Sequence, residues 1–105
     1  MDINVTQLAE RIERGENDFF LLDVREPYEW SAGHLEGALH IPLQQVPARL
    51  RELPSEKEII VYCRSGGRSA NAQRFLQSNG FPNVRNLLGG IAAWKREVDQ
   101  SIRVV

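Results

Sequence analysis

Apolar positions along the chain change period repeatedly, and each change marks a switch between strand and helix. Phe19-Phe20-Leu21-Leu22, carried on to Val24, is a short continuous apolar run and reads as a buried strand over residues 19–24. Residues 58–62, Glu-Ile-Ile-Val-Tyr, form the clearest such run and predict the central strand. Residues 3–5, 37–41 and 84–87 read as three more short strands, the first at a sheet edge and the second stopped by Pro42. Between these runs the spacing lengthens to that of a helix. Leu8 and Ile12 share one face of a helix capped by Thr6, which continues to Arg14 and is closed by Gly15. Pro27 suits the first turn of a short helix that Gly33 stops. Leu43, Val46, Leu50 and Leu53 recur at helical spacing, but Pro47 among them predicts a kink or two short helices. Ala72, Phe75, Leu76 and Asn79 line one face of a helix that begins near Arg68 or Ser69 and ends at Gly80. Gly89-Gly90 turns the chain into a last helix with Ile91 and Trp94, and residues 101–105 fit neither period. Strands alternating with helices predict an α/β domain with a mainly parallel sheet.

Composition narrows this picture. The 105 residues fit a single domain over residues 1–105, without a second independent core. Hydrophobic residues make up 42% and charged residues 26%, the balance of a soluble globular domain. The apolar runs are strand-sized, far short of the ~20 residues that cross a bilayer, so no membrane contact is expected. The start Met-Asp-Ile-Asn has no basic segment followed by an apolar stretch, so no secretory signal is read and a cytoplasmic location is expected. A net charge of −1 without a long basic run gives no electrostatic case for binding nucleic acid.

Cysteine usage sharpens the question of chemistry. Cys63 is the only cysteine, which excludes an internal disulfide and a multi-thiolate metal site. It also leaves no second thiol to resolve an oxidised first one, so any thiol chemistry must pass something to another molecule. Cys63 stands where the central strand gives way to a helix, the end of the strand at which open α/β sheets bind ligands. Gly66 and Gly67 allow a tight backbone cradle whose N–H groups converge as an anion nest. The next helix adds its positive end, and Arg64 and Arg68 add two cations. These features favour a Cys63 thiolate at neutral pH, well below the ~8.5 of an unperturbed thiol. The alternative, a small buried hydrophobe, explains neither the glycines nor the arginines. Arg64 and Arg68 taken singly are ordinary surface charges.

The loop Cys63-Arg64-Ser65-Gly66-Gly67-Arg68-Ser69 resembles the active-site loop of the rhodanese family. Leu22-Asp23-Val24-Arg25, followed by Glu29-Trp30, Gly33-His34, Gly37-Ala38 and Ile41-Pro42, resembles that family's first signature. Leu88-Gly89-Gly90 with Trp94 resembles its C-terminal signature. Three motifs in order, spanning nearly the whole chain, imply a rhodanese-like α/β fold: a central five-stranded, mainly parallel sheet flanked by helices on both faces. The resemblance implies a sulfurtransferase that carries a persulfide on Cys63, with the N–H groups of Arg64, Ser65, Gly66, Gly67, Arg68 and Ser69 holding the anion. It implies a sulfane-sulfur donor such as thiosulfate, an acceptor that is cyanide, a thiol or a partner protein, and neither metal nor organic cofactor.

Asp23, Arg25 and Glu29 read as one structural polar cluster that holds the loop after the second strand. His34 is expected to make a structural hydrogen bond, His40 is assigned no role, and Trp30 and Trp94 are expected to pack rather than to hold a ligand. Two competing readings use the same loop. Cysteine-based phosphatases and arsenate reductases share a related fold, and the phosphatases a Cys-x5-Arg loop; counted from Cys63, Ser69 stands where that arginine belongs and Arg68 comes one residue early. The shorter loop makes a tighter cradle, suited to a sulfane sulfur rather than to a tetrahedral oxyanion. The other reading is a persulfide carrier or docking module for a specific partner, which sequence does not separate from a general sulfurtransferase. With no second half to cover it, the site is expected to be small and open to solvent, completed by a partner or by a second copy.

Overall fold

The computed structural model describes residues 2–105. Four strands lie parallel in the order β2 (Leu39–His40), β1 (Phe19–Asp23), β3 (Glu58–Tyr62), β4 (Val84–Asn86). Each strand is joined to the next by helical chain, as parallel pairing requires. β1 and β3 form the centre, in register from Phe19 opposite Glu58 to Asp23 opposite Tyr62. Side chains alternate across this pair. Leu22, Ile59 and Val61 face one side, where they pack with Ala72 and Leu76 of α3 (Gly67–Gln77), with Val46 of a kinked 3-10 segment, Leu43–Glu52, and with Leu53 just after it. Leu21, Ile60 and Tyr62 face the other, against Val5 and Leu8 of α1 (Val5–Glu13) and Ile91 and Ala93 of α4 (Gly90–Glu97). Both faces of β3 are therefore covered, and this is why its sequence is apolar without alternation.

The fifth strand of the sequence reading is not formed. Residues 3–5 contribute a single parallel bridge, Ile3 with Leu87, made by the Ile3 N–H on the Asn86 carbonyl at 3.1 Å and the Leu88 N–H on the Ile3 carbonyl at 2.9 Å. The next residue ends the pairing. Asn4 caps α1, its Oδ1 accepting from the Gln7 N–H at 2.8 Å while Gln7 Oε1 accepts from the Asn4 N–H at 2.9 Å. This reciprocal cap satisfies two N–H groups at once and displaces Thr6, the expected cap, into the first turn. β2 is only two residues long, and β4 stops at Asn86, one residue before the expected end. The expected break around Pro47 is present, with Arg49 leaving helical geometry two residues later. α2 occupies Pro27–Ala32 as the proline and glycine predict. Residues 103–105 have no regular structure, but the tail is fixed. Lys95 Nζ donates to the carbonyls of Gln100 and Ile102, and a Cβ on Gly33 would lie 2.3 Å from the Arg103 carbonyl oxygen.

All four strands end on the same side of the sheet. Cys63 follows the last residue of β3 at that edge, flanked by the ends of β1 and β4.

Candidate active site

The chain leaves β3 at Tyr62 and enters α3 at Gly67, so the turn has room for four residues only. Gly66 makes it possible. It is the cap of α3 and adopts φ +114°, a conformation open to glycine and strained for other residues. Gly67 needs no such freedom, since a Cβ there meets nothing within 4 Å; only one of the two loop glycines is conformationally required. The helix starts at Gly67, a residue or two earlier than its apolar face predicts, because Gly66 turns the backbone in one step.

This turn aims backbone donors at one atom. The Gly66 N–H donates to Cys63 Sγ at 3.1 Å and the Ser69 N–H at 3.5 Å, with the Ser69 hydroxyl 3.4 Å away. Burial pushes the thiol up, and the hydrogen bonds from Ser69 and from the Gly66 and Ser65 N–H groups outweigh it, so that the thiol lies below its ordinary range. The first turn of the 11-residue α3 presents its positive end at the same place. Cys63 itself is only 1% exposed, so the expected opening of the site to solvent does not extend to the cysteine. The cause is the tightness of the turn, which packs backbone around Sγ. Its neighbours Arg64 and Ser65 are exposed. A cleft of about 710 Å³ lies elsewhere, lined by Ile12, Phe19, His34, Trp94 and Ile102 among others, and no loop residue reaches it.

The loop is held from the far side by residues that sequence reasoning did not assign to the site. Asn86, at the end of β4, donates through Nδ2 to the Gly66 carbonyl at 3.1 Å and accepts the Ser69 hydroxyl on Oδ1 at 2.6 Å. α4 begins directly against the loop. The Ile91 N–H donates to the Cys63 carbonyl at 2.9 Å and the Ala92 N–H to the Arg64 carbonyl at 3.0 Å. This approach needs Gly90, at φ +60°, because a Cβ there would lie 2.4 Å from the Cys63 carbonyl oxygen and 2.5 Å from that of Arg64. Two otherwise unpaired helix N–H groups thus satisfy two loop carbonyls.

The charged residues divide differently from the expected cluster. Arg68 forms a two-pronged pair with Glu29 of α2, Nη1 to Oε1 at 2.7 Å and Nη2 to Oε2 at 3.0 Å. The guanidinium holds the Glu29 carboxyl down to about 2 against the opposing effect of burial. The Arg68 charge is therefore matched mainly by Glu29 at the rim, with a weaker attraction to the sulfur. Arg64 is exposed, and its Nε donates to the Val105 carbonyl at 3.1 Å. Asp23 and Arg25 form a separate, fully buried pair, with Arg25 Nη2 2.8 Å from Asp23 Oδ2 and 2.7 Å from the Gly33 carbonyl. That pair fixes the loop after β1. His34 Nδ1 donates to the Trp30 carbonyl at 3.1 Å and His40 Nε2 to the Arg25 carbonyl at 2.7 Å. Both rings stack on Trp30, at 3.5 and 4.9 Å, so that residue packs as expected.

A family model described as Rhodanese-like domain matches residues 4–97, a range that includes the loop and the sheet that carries it. The chain belongs to the rhodanese-like family. A protein of Allochromatium vinosum named "Sulfurtransferase" is 39% identical over 95 residues, covering 90% of this chain and 88% of that one. The Bacillus subtilis protein named "Putative sulfurtransferase YtwF" is 38% identical over 96 residues, 91% of each chain. The crystal structure of a rhodanese-related protein from Thermoplasma volcanium superposes with a TM-score of 0.82 at 34% identity, covering 92% of both. Within this rhodanese-like fold the Cys63 loop is one half of the candidate site, and Asn86 and Gly90 pack against it from the other side. Gly90 stood in the C-terminal signature but without a function, because the contact it makes spans 27 residues of sequence.

Proposed function

We propose that this chain is a sulfurtransferase in which Cys63 carries the transferred sulfur as a persulfide. The observation that carries the reading is the convergence of the Gly66 and Ser69 N–H groups on Cys63 Sγ at the start of α3. The Cys63 thiolate attacks the outer sulfur of a sulfane donor such as thiosulfate. The donor S–S bond breaks, sulfite leaves with the electron pair, and Cys63–S–S⁻ remains. An acceptor, whether cyanide, a thiol or a partner protein, then attacks the outer sulfur and releases the Cys63 thiolate. This is covalent catalysis with electrostatic stabilisation, and the neighbouring N–H groups are placed to hold charge at the sulfur in both states. The buried position of Sγ favours donors whose sulfane atom ends a slim, unbranched group, as in thiosulfate, persulfides and polysulfides.

A carrier role toward a protein acceptor is the second reading. It is favoured by similarity to the Bacillus subtilis protein named "Putative sulfur carrier protein YrkF", 36% identical over 93 residues, of which this chain spans about half. Phosphatase chemistry has less support: Ser69 occupies the position of the phosphatase arginine, and Arg68 is committed to Glu29. Thiocyanate formation from thiosulfate and cyanide tests the proposal. The wild type is expected to turn over and Cys63→Ser to be inactive. Thiocyanate produced equally by Cys63→Ser, or steady hydrolysis of an aryl phosphate dependent on Cys63, overturns it.

A further inference from the structure

The Ser69 hydroxyl has one proton and two acceptors within reach, Asn86 Oδ1 at 2.6 Å and Cys63 Sγ at 3.4 Å. The orientation of the Asn86 amide is fixed independently. Its nitrogen must face the Gly66 carbonyl at 3.1 Å, because turning the amide over would set two oxygens against each other there. The oxygen of Asn86 therefore faces Ser69. Two oxygens 2.6 Å apart require a proton between them, and only Ser69 has one to give. In the resting arrangement the hydroxyl serves Asn86, and its lone pairs face the sulfur.

The geometry points to Asn86 as a positioning residue for Cys63, acting through the Ser69 hydroxyl as a rotor shared between the Asn86 amide oxygen and the sulfur. When Cys63 loses its proton to solvent, the thiolate competes for the hydroxyl proton, but taking it strands a buried amide oxygen. Asn86 thus keeps the thiolate more basic than the cradle alone dictates, and a more basic thiolate is a stronger nucleophile. Once the sulfur carries a second sulfur atom, charge moves to the outer atom, Sγ becomes a weak acceptor, and the hydroxyl returns to Asn86. The loaded state is then free of the competition. Other charges near Cys63 are few: Arg68 of α3, paired with Glu29 of α2, and Arg64 in the loop. From β4 and from α4 the contacts are an uncharged amide and backbone N–H groups.

This inference deepens the sulfurtransferase reading, yet it concerns the ionisation of the thiol and is tested without sulfur transfer. The pH dependence of Cys63 alkylation by iodoacetamide is measured in the wild type, Asn86→Ala, Ser69→Ala and the double variant. In Asn86→Ala the freed hydroxyl turns to the thiolate, so the midpoint is expected to fall by about half a pH unit. The plateau rate is expected to fall with it, because the thiolate is less basic. In the Ser69→Ala background the same replacement is expected to produce no fall, and any shift is upward because Asn86 also holds the Gly66 carbonyl. A purely structural role for Asn86 loosens the cradle and raises the midpoint. An unchanged or raised midpoint in Asn86→Ala, or an equal fall without the hydroxyl, overturns the inference. Where Asn86→Ala does not unfold cooperatively, Ser69→Ala alone decides. A hydroxyl held mainly by Asn86 predicts a rise smaller than about half a unit, and a rise of about a full unit overturns the assignment.

Discussion

Replacing Gly90 by alanine tests whether the start of α4 is a working part of the site. The new Cβ would lie 2.4 Å from the Cys63 carbonyl oxygen, 2.5 Å from that of Arg64 and 2.6 Å from the Arg64 carbonyl carbon. All three are backbone atoms, so no side chain can turn away, and a separation of at least 3.0 Å demands that helix and loop part. The φ of +60° adds about 1 kcal/mol of strain for any residue with a Cβ. Parting also weakens the hydrogen bonds from the Ile91 and Ala92 N–H groups to the loop, each worth about 1 kcal/mol. Together these amount to a loss of about 2–4 kcal/mol, a large share of the ~5–15 kcal/mol typical of a domain. Urea unfolding monitored by tryptophan fluorescence measures it. Gly67→Ala is the control: its Cβ meets nothing within 4 Å, and alanine favours the helix, so stability is expected to hold or to rise by up to about 1 kcal/mol. The displaced loop should also move the midpoint of Cys63 alkylation toward that of a free thiol. A Gly90→Ala protein within about 0.5 kcal/mol of wild type, with an unchanged alkylation profile, refutes the account of how α4 supports the loop.

Further expectations follow from the charges and the cradle. Glu29→Gln should destabilise the fold by about 1–3 kcal/mol at pH 7, moderated by water reaching the half-buried Arg68. Because Glu29 is held down to about 2 in the fold, its contribution is complete above the ordinary carboxylate range and is lost as pH falls toward 2. Urea midpoints of the two proteins should therefore converge between pH 5 and pH 2 (roughly the span of such a shift), and a constant difference across that range contradicts the ion pair. The midpoint of Cys63 alkylation should lie below the ~8.5 of a free thiol; a midpoint at or above that value contradicts the cradle. Cys63→Ala should unfold cooperatively while losing thiocyanate formation, and loss of cooperative unfolding in it marks Cys63 as structural. Gly66→Ala should lose about 1 kcal/mol from its φ of +114° alone and weaken the Gly66 N–H contact to the sulfur, seen as a raised alkylation midpoint.

The central strand, the helix over Ala72 and Leu76, and Cys63 at their junction were legible because each is encoded locally, in a run of apolar residues followed by glycines. The edge of the sheet was less so. A strand at residues 3–5 and a cap at Asn4 compete for the same backbone, and only the reciprocal Asn4–Gln7 hydrogen bonds decide between them. The charges were legible only in part, for a related reason. Glu29 lies near Asp23 and Arg25 in sequence, yet it pairs with Arg68, 39 residues away, while Asp23 and Arg25 close on each other. Sequence distance also concealed Asn86 and Gly90, whose partners in the Cys63 loop are reached only once β4 and α4 are in place. One signal was nonetheless present, a second glycine beyond the one that turns the chain.

The central claim is that Cys63 carries sulfur. Mass spectrometry of the intact protein after incubation with thiosulfate tests it most directly. A gain of one sulfur atom is expected, localised to Cys63, absent from Cys63→Ser and removed by cyanide. No gain with thiosulfate, persulfide or polysulfide donors, or a gain that survives in Cys63→Ser, contradicts it.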